Sequence, residues 1–298
     1  MAYTTTAAVE KTEKKDSYYR DVLRRFQAHK LARLGVAIIL AEVLLVIILP
    51  MVMKLDPYSS DILAFNSAPG PGHLLGTDDT GRDIFARLIY GGRVSLQVGL
   101  LSAIVSMIIG VPLGLLAGYY KGICETIIMR AADIFMSFPS MILILVLVAL
   151  IGPSVWTVTF VIGVLGWTDF AKLIYGNVLS VREKEYVESA KAVGTKDLPI
   201  LIKYVIPNAF APILINFTFR TAQAIIQESA LSFLGMGVQP PEASWGNILY
   251  AAQSITTLST RPWLWIPPGI LLVLTVSSIN FIGDGIRDAL DARTKIKK

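Results

Sequence analysis

Few residues of this chain have the type and spacing to make or break bonds, and those that do lie apart. The two histidines, His29 and His73, flank a long apolar run, and neither stands near a nucleophile turn, so a Ser-His-Asp hydrolase is set aside. No Gly-x-x-x-x-Gly-Lys-Ser/Thr loop occurs, so the chain has no recognisable cradle for ATP phosphates. The single cysteine, Cys124, excludes an internal disulfide framework and a Cys-based zinc site. His73 with Asp78, Asp79 and Asp83 has the donor types of a metal site. Turn and capping chemistry is the favoured reading, because nothing in the sequence holds those side chains in a shared geometry. Glu42, Asp169 and Glu228 sit inside apolar runs, the pattern of a proton or ion relay, but they are scattered along different runs. The residues left with a mechanical rather than a chemical look form one polar stretch, 180–206, between two apolar segments.

The elements that must position these residues are membrane helices. Apolar residues make up 54% of the chain and charged residues 16%, with a mean hydropathy of +0.60, outside the range of ordinary soluble domains. The net charge of +5 comes mainly from basic residues beside apolar runs, which reflects membrane orientation and not nucleic-acid binding. Residues 1–33 read as a basic tail whose later part, 21–33, suits an amphipathic helix on the membrane surface. It is too long and too charged for the n-region of a cleaved signal, so the first apolar run is expected to stay as an anchor.

Six spans are predicted, at about 34–53, 94–120, 126–150, 154–175, 207–234 and 263–282. Glu42 in the first must face other helices and find a donor. In the second, Gly110, Gly114 and Gly118 at four-residue spacing form a close-packing face, and Pro112 can kink it. Phe138-Pro139 marks a kink in the third, where Arg130 and Asp133 can pair, and Asp169 and Lys172 can pair in the fourth. Arg220, Gln223, Gln227 and Glu228 run along the fifth, so they face either a translocation route or a partner's helices. Segment 54–93 is punctuated by turn formers, with Thr77 to Thr80 able to cap the second span. Ser244 can cap a short helix through Gln253, with Trp245 at the membrane interface and Trp263 and Trp265 anchoring the sixth span.

The polar stretch reads as a helix-turn-helix elbow. Ser180 with Glu183 has the form of a capping box, Gly194 is suited to end that helix, and Thr195 or Asp197 can cap a second with Pro199 in its first turn. Its bland reading is a solvated loop in which Lys184, Glu188 and Lys191 pair. Glu188, Ala190, Gly194 and Pro207 resemble the conserved elbow loop of ABC-type importer permeases, with mild departures at Ser189, Tyr204 and Ile206. The resemblance implies that Glu188, Ser189, Ala190, Gly194, Ile206 and Pro207 couple the membrane helices to a separate ATPase.

A second, more specific resemblance lies in His73-Leu74-Leu75-Gly76-Thr77-Asp78-Asp79-Thr80-Gly81-Arg82-Asp83 followed by Gly91-Gly92-Arg93-Val94-Ser95-Leu96. Gly76, Thr77, Asp78, Gly81, Arg82 and Asp83 carry it. This run is similar to the signature of the C-type membrane subunit of dipeptide, oligopeptide and nickel importers. Residues 228–246 and 283–291 are similar to the same subunits, although Ala292 stands where proline is usual.

The resemblance implies an all-α integral membrane protein of the type I ABC importer fold, six transmembrane helices with cytoplasmic coupling helices, and a core domain over 94–291. It implies a homologous B-type permease, two cytoplasmic ATPases that hold ATP and magnesium, and an extracytoplasmic substrate-binding protein. The chain itself is expected to bind no cofactor and to catalyse no reaction. Lys and Arg are rich in the tail, the elbow and the C-terminus (292–298) and sparse on the other side, which independently puts both termini and the elbow in the cytoplasm. Di- or oligopeptide is the expected cargo, with nickel chelate or oligosaccharide as alternatives. A passive channel and an ion-coupled carrier are the readings from other classes.

Overall fold

The computed structural model describes residues 18–290, and these are almost entirely helical. Residues 1–17 of the predicted tail 1–33, the predicted tail 292–298, and Asp291 lie outside the described residues.

Helix α1, Tyr18–Ala28, and helix α2, Lys30–Met53, meet at His29, whose Nδ1 accepts the Ala32 amide at 3.1 Å and caps α2. The predicted amphipathic segment therefore ends at Ala28, and the first span starts at Lys30 instead of residue 34. A basic first turn lowered the apparent hydropathy there. Ala32, Gly35, Glu42 and Val46 of α2 are buried, one stripe at helical spacing, with Ile39 packed beside it against Ala222 and Ile225, while Leu34, Leu40, Leu44, Leu45, Ile47 and Ile48 are exposed as lipid contact requires.

Helix α3, Ile84–Tyr120, is the axis of the bundle. Its 37 residues extend roughly 55 Å, well beyond a hydrocarbon core of about 30 Å. It begins ten residues before the predicted 94, and Asp83, not Thr77 to Thr80, caps it, Oδ1 accepting the Ala86 amide at 2.8 Å. Arg87 and Arg93 hid this start from a hydropathy reading. A Cβ on Gly110 would run into the Trp167 carbonyl, one on Gly114 would stand 2.6 Å from the Ala171 carbonyl, and one on Gly118 would stand 2.7 Å from Val178 Cβ. These glycines let α3 lie directly on helix α7, Trp167–Arg182.

The predicted third span is two helices, α4 (Gly122–Ser137) and α5 (Ser140–Ile151), bent by 89° at Phe138-Pro139. Proline removes an amide donor and pushes its predecessor out of the helical region, and Phe138 is extended at ψ 143. Neither piece reaches across a bilayer by itself. Helix α6, Val155–Leu165, leads through Gly166 into α7, which runs past the predicted end at 175 to Arg182.

Helices α8 (Glu185–Ala192) and α9 (Asp197–Ile200) form the elbow; a π turn, Leu201–Val205, leads into α10, Ile206–Phe233. Beyond α10 lie α11 (Trp245–Leu249), a 3-10 turn to Gln253, and α12 (Ile255–Thr260). The last helix, α13 (Ile266–Leu290), outruns the predicted 282 and absorbs Gly283 and Gly285, where added Cβ atoms would strike Thr218 and Ala32. Among the described residues, five helical runs are long and apolar enough to cross a membrane, and the bent α4–α5 pair makes six if taken as one span.

Candidate functional site

The elbow is built from an amphipathic α8 set on the end of α3. Val187 and Ala190 are buried with Ile174, Val178, Ile200 and Val205, while Glu188, Ser189 and Gly194 are exposed. The capping box expected from Ser180 and Glu183 is absent. Ser180 lies inside α7 and donates to the Gly176 carbonyl at 3.3 Å, because α7 continues to Arg182. Lys184 occupies the N-cap position without a capping side chain, and Lys196 does so for α9 in place of Thr195 or Asp197.

The C-terminal end of α8 is closed by a Schellman pair: the Gly194 amide bonds the Lys191 carbonyl at 2.9 Å and the Thr195 amide bonds Ala190 at 3.0 Å. Gly194 needs φ +80 for this, a conformation that strains a residue with a Cβ. Pro207 stands in the first turn of α10, just after the π turn, where a missing amide is absorbed. Ile206 and Pro207 are both exposed.

Two contacts that local sequence does not display fasten this elbow to α3: the Tyr119 hydroxyl donates to Asp197 Oδ1 at 2.7 Å, and Lys191 Nζ lies 4.9 Å from the Tyr119 ring centre. At the end of α7, Arg182 Nη1 donates to the Tyr119 carbonyl at 3.0 Å. On the outer side of the elbow Val193, Leu198 and Ile202 are 82%, 64% and 57% exposed. They make an apolar edge on an otherwise polar unit.

The polar residues of α10 divide into two groups. Glu228 is fully buried, accepting from Ser232 Oγ at 2.7 Å and Ser95 Oγ at 3.1 Å, while Ser95 also accepts the Trp245 amide. It thus ties α10, α3 and α11 together at the end opposite the elbow. Trp245, expected at the membrane interface, is also fully buried, its Nε1 bonding the Leu88 carbonyl. It fills the space that Gly91 and Gly92 leave open on α3.

Arg220 is 4% exposed and lies in the notch at Gly166, where any Cβ would strike its guanidinium. Its Nη2 donates to the Ile162 carbonyl at 2.7 Å and its Nη1 stands 3.7 Å from Asp169. Asp169 therefore faces Arg220 and not Lys172, which reaches Asp133 on α4 at 2.9 Å; Arg130 joins Asp133 at 3.7 Å. With α4 and α10 flanking α7, cross-helix partners displace the local pair.

A chain of cavities follows these side chains. One of about 280 Å³ is bordered by Phe138, Gly166, Arg220, Gln223 and Gln227. The next, about 500 Å³, shares Asp169, Arg220 and Gln223 and adds Lys172 and Asn216. A third, about 610 Å³, shares Lys172 and reaches Glu125, Arg130, Asp133 and Tyr175, whose hydroxyl bonds Glu125. Gln223 and Gln227 are thus brought together with the Arg220–Asp169 pair along one groove, whereas Glu228 points into the helix packing.

The signature residues of 76–83 build a tight turn system. Asp78 Oδ1 accepts from the Thr80 and Arg82 amides, both at 2.9 Å, and from Thr80 Oγ1 at 2.7 Å, while Oδ2 takes Arg82 Nε at 2.8 Å. Burial pushes the Asp78 carboxyl up, but these hydrogen bonds and the Arg82 charge outweigh it and hold the group below the usual carboxylate range. His73 bonds Asp83 Oδ2 through Nδ1 at 2.8 Å. Thr77 donates to the Ala64 carbonyl. Gly76 and Gly81, at φ +72 and +77, turn where a Cβ would meet the Ser67 and Asp61 carbonyls.

Residues 110–296 match the family model described as binding-protein-dependent transport system inner membrane component. The chain belongs to this family. Residues 17–69 of the permease also match the N-terminal TM domain of oligopeptide transport permease C. It is 35% identical over 287 residues to the oligopeptide transport system permease protein OppC of Bacillus subtilis (strain 168), covering 96% of this chain and 93% of the relative. It is 37% identical to the dipeptide transport system permease protein DppC of Alkalihalophilus pseudofirmus, covering 94% and 91%. Among solved structures, the inward-facing MetNI methionine ABC transporter superposes with a TM-score of 0.56 at 20% identity, over 69% of this chain and 97% of that one. That likeness carries the fold of an ABC transporter membrane subunit. The five to six apolar spans and the family make the permease a multi-pass membrane protein.

Proposed function

We propose that this permease is one of the two membrane subunits of an ATP-driven importer of di- and oligopeptides. The observation that carries the reading is the elbow, where an apolar edge of Val193, Leu198 and Ile202 stands exposed on a unit bonded to α3 through Tyr119 and Asp197. Such an edge suits a groove on an ATPase, and the bonds behind it pass a displacement of the elbow directly to the central helix. Glu188, Ser189, Ala190, Gly194, Ile206 and Pro207 are the coupling residues in this reading. ATP and magnesium are held on two cytoplasmic ATPases, and a binding protein delivers cargo from outside. Both termini and the elbow are cytoplasmic, in keeping with the Lys and Arg distribution.

The groove along Gln227, Gln223, Arg220 and Lys172 is this subunit's half of the route, and a homologous B-type permease supplies the facing wall. The three cations along it, Arg220, Lys172 and Arg130, face three carboxylates: Asp169 beside Arg220, Asp133 beside Lys172 and Arg130, and Glu125 in the same lining. The wall is therefore polar without a strong field of either sign, which suits cargo with both an ammonium and a carboxylate. Closure of the ATPases draws the elbows together and opens the paired bundles outward; reopening releases cargo inward. Identity above one third to relatives named as oligopeptide and dipeptide permeases, over nearly the whole chain, supports peptide as that cargo.

The test is ATP hydrolysis by the complex co-purified on this subunit, with peptides, sugars and nickel chelates presented on its binding protein. Stimulation by peptides alone is the expected result. Absence of any co-purifying ATPase overturns the mechanism.

A further inference from the structure

At the end of the bundle opposite the elbow, a recess of about 800 Å³ lies between the 76–83 turn system and the segment carrying α11 and α12. Its size falls in the range of small-molecule sites, about 300–1,000 Å³. The most deeply buried charge lining it is Arg87, in the first turn of α3 and 3% exposed, and Arg87 Nη1 has no hydrogen-bond partner. A charged donor buried without an acceptor is costly, so the surroundings should show what satisfies it.

The neighbouring groups do not. Asp78 Oδ2 is 3.5 Å from Arg87 Nε but already takes Arg82 at 2.8 Å, and Oδ1 is filled by Thr80 and Arg82. Asp79 lines the exposed side of the recess and makes no hydrogen bond to Arg87. Asn66 Oδ1 is taken by Arg261 Nη1 at 2.7 Å, and Asn247 Oδ1 by the Ser244 amide at 3.0 Å. Among the charged lining residues Arg82, Arg87 and Arg261 face Asp78 and Asp79, which leaves one positive charge in excess.

We propose that this recess is a carboxylate-binding site in which Arg87 is the buried donor and Arg261 the second cation. A carboxylate supplies both the missing acceptor and the missing negative charge, and guanidinium groups match it geometrically. The site is separate from the groove near Arg220 and does not depend on peptide being the transported cargo. The carboxylate belongs either to a free solute or to an acidic side chain of a docked binding protein, and the experiment separates these sources.

The assembled importer in lipid nanodiscs, without its binding protein, would be dialysed against labelled dialanine or its C-terminal amide. Saturable dialanine binding is expected, with the amide about ten- to hundredfold weaker, the range for losing one charged hydrogen bond. Arg87→Gln should weaken dialanine binding by a similar factor. Ala251→Trp, which fills the recess from its wall and leaves the Arg87 side chain unaltered, should abolish binding there, and it decides alone if Arg87→Gln fails to assemble. Equal binding of dialanine and its amide, no saturable binding, or parental binding by the assembled variants would overturn the proposal. Loss of dialanine from the nanodiscs on adding binding protein already saturated with dialanine would support an acidic side chain as the natural source; undiminished binding would support a free solute.

Discussion

The Tyr119 hydroxyl donates a 2.7 Å hydrogen bond to Asp197 Oδ1, joining the last turn of the central helix α3 to the first residue of the second elbow helix. The two lie on separate helices brought together only by the fold, and Lys191 covers the same ring from α8. Tyr119 thus contacts both elbow helices from the end of α3.

Tyr119→Phe keeps the ring and its contact with Lys191 but removes the bond to Asp197. A hydrogen bond to a charged group contributes about 1.5–3 kcal/mol. Uptake per ATP hydrolysed should fall severalfold while membrane insertion and complex yield stay normal. Unchanged stoichiometry in proteoliposomes would show that force does not pass through this bond.

Gly194 holds φ +80, and its amide closes α8 on the Lys191 carbonyl. Gly194→Ala should cost about 1 kcal/mol in elbow stability, and Gly194→Pro, which loses the bond and cannot take that φ, substantially more. Gly194→Pro and Glu188→Arg are both expected to abolish transport with insertion intact. Normal uptake by both would remove the elbow from the mechanism.

Gly166 leaves the notch that Arg220 fills. Gly166→Ala should expel the guanidinium from its bond to the Ile162 carbonyl and leave a buried charge poorly paired, at a cost of about 3 kcal/mol or more. A lower melting temperature of the purified complex, and partial recovery on adding Arg220→Met, are the expected observations. Full stability of Gly166→Ala would mean that the notch is not needed.

The Asp78 carboxyl is held below its ordinary value, so it contributes stability that is complete above the unfolded value of about 3.9 and lost as pH falls through the lower folded value. Hydrogen exchange in residues 61–83, normalised to intrinsic rates, should therefore accelerate only on the acid side of that point. Asp78→Asn should exchange fast at every pH. A parent protein that loosens already at pH 6 would contradict the assignment.

Where chemistry was carried by local pattern, the sequence was sufficient. The mean hydropathy of +0.60 and the long apolar runs demanded membrane helices, because backbone polar groups in lipid must be satisfied within the segment. Glycines at 110, 114 and 118 announced a close helix contact, and Gly194 announced a helix end, since each depends on a missing Cβ. Boundaries were less legible wherever a charge sat inside a helix. Arg87 and Arg93 concealed the first ten residues of α3, and Ser180 resembled a cap although α7 runs through it.

What only the tertiary structure decided is which polar side chain meets which. Asp169 turns to Arg220 although Lys172 is nearer in sequence, Trp245 is buried against α3, Glu228 gathers Ser95 and Ser232, and Arg87 pairs with Asp78 while its Nη1 lacks an acceptor beside a recess. The physical reason is common to all of them. Apolar periodicity acts over a few residues and is written in the chain, whereas a buried charge is satisfied by whichever group the packed helices bring within about 3 Å, and that group is usually far away in sequence.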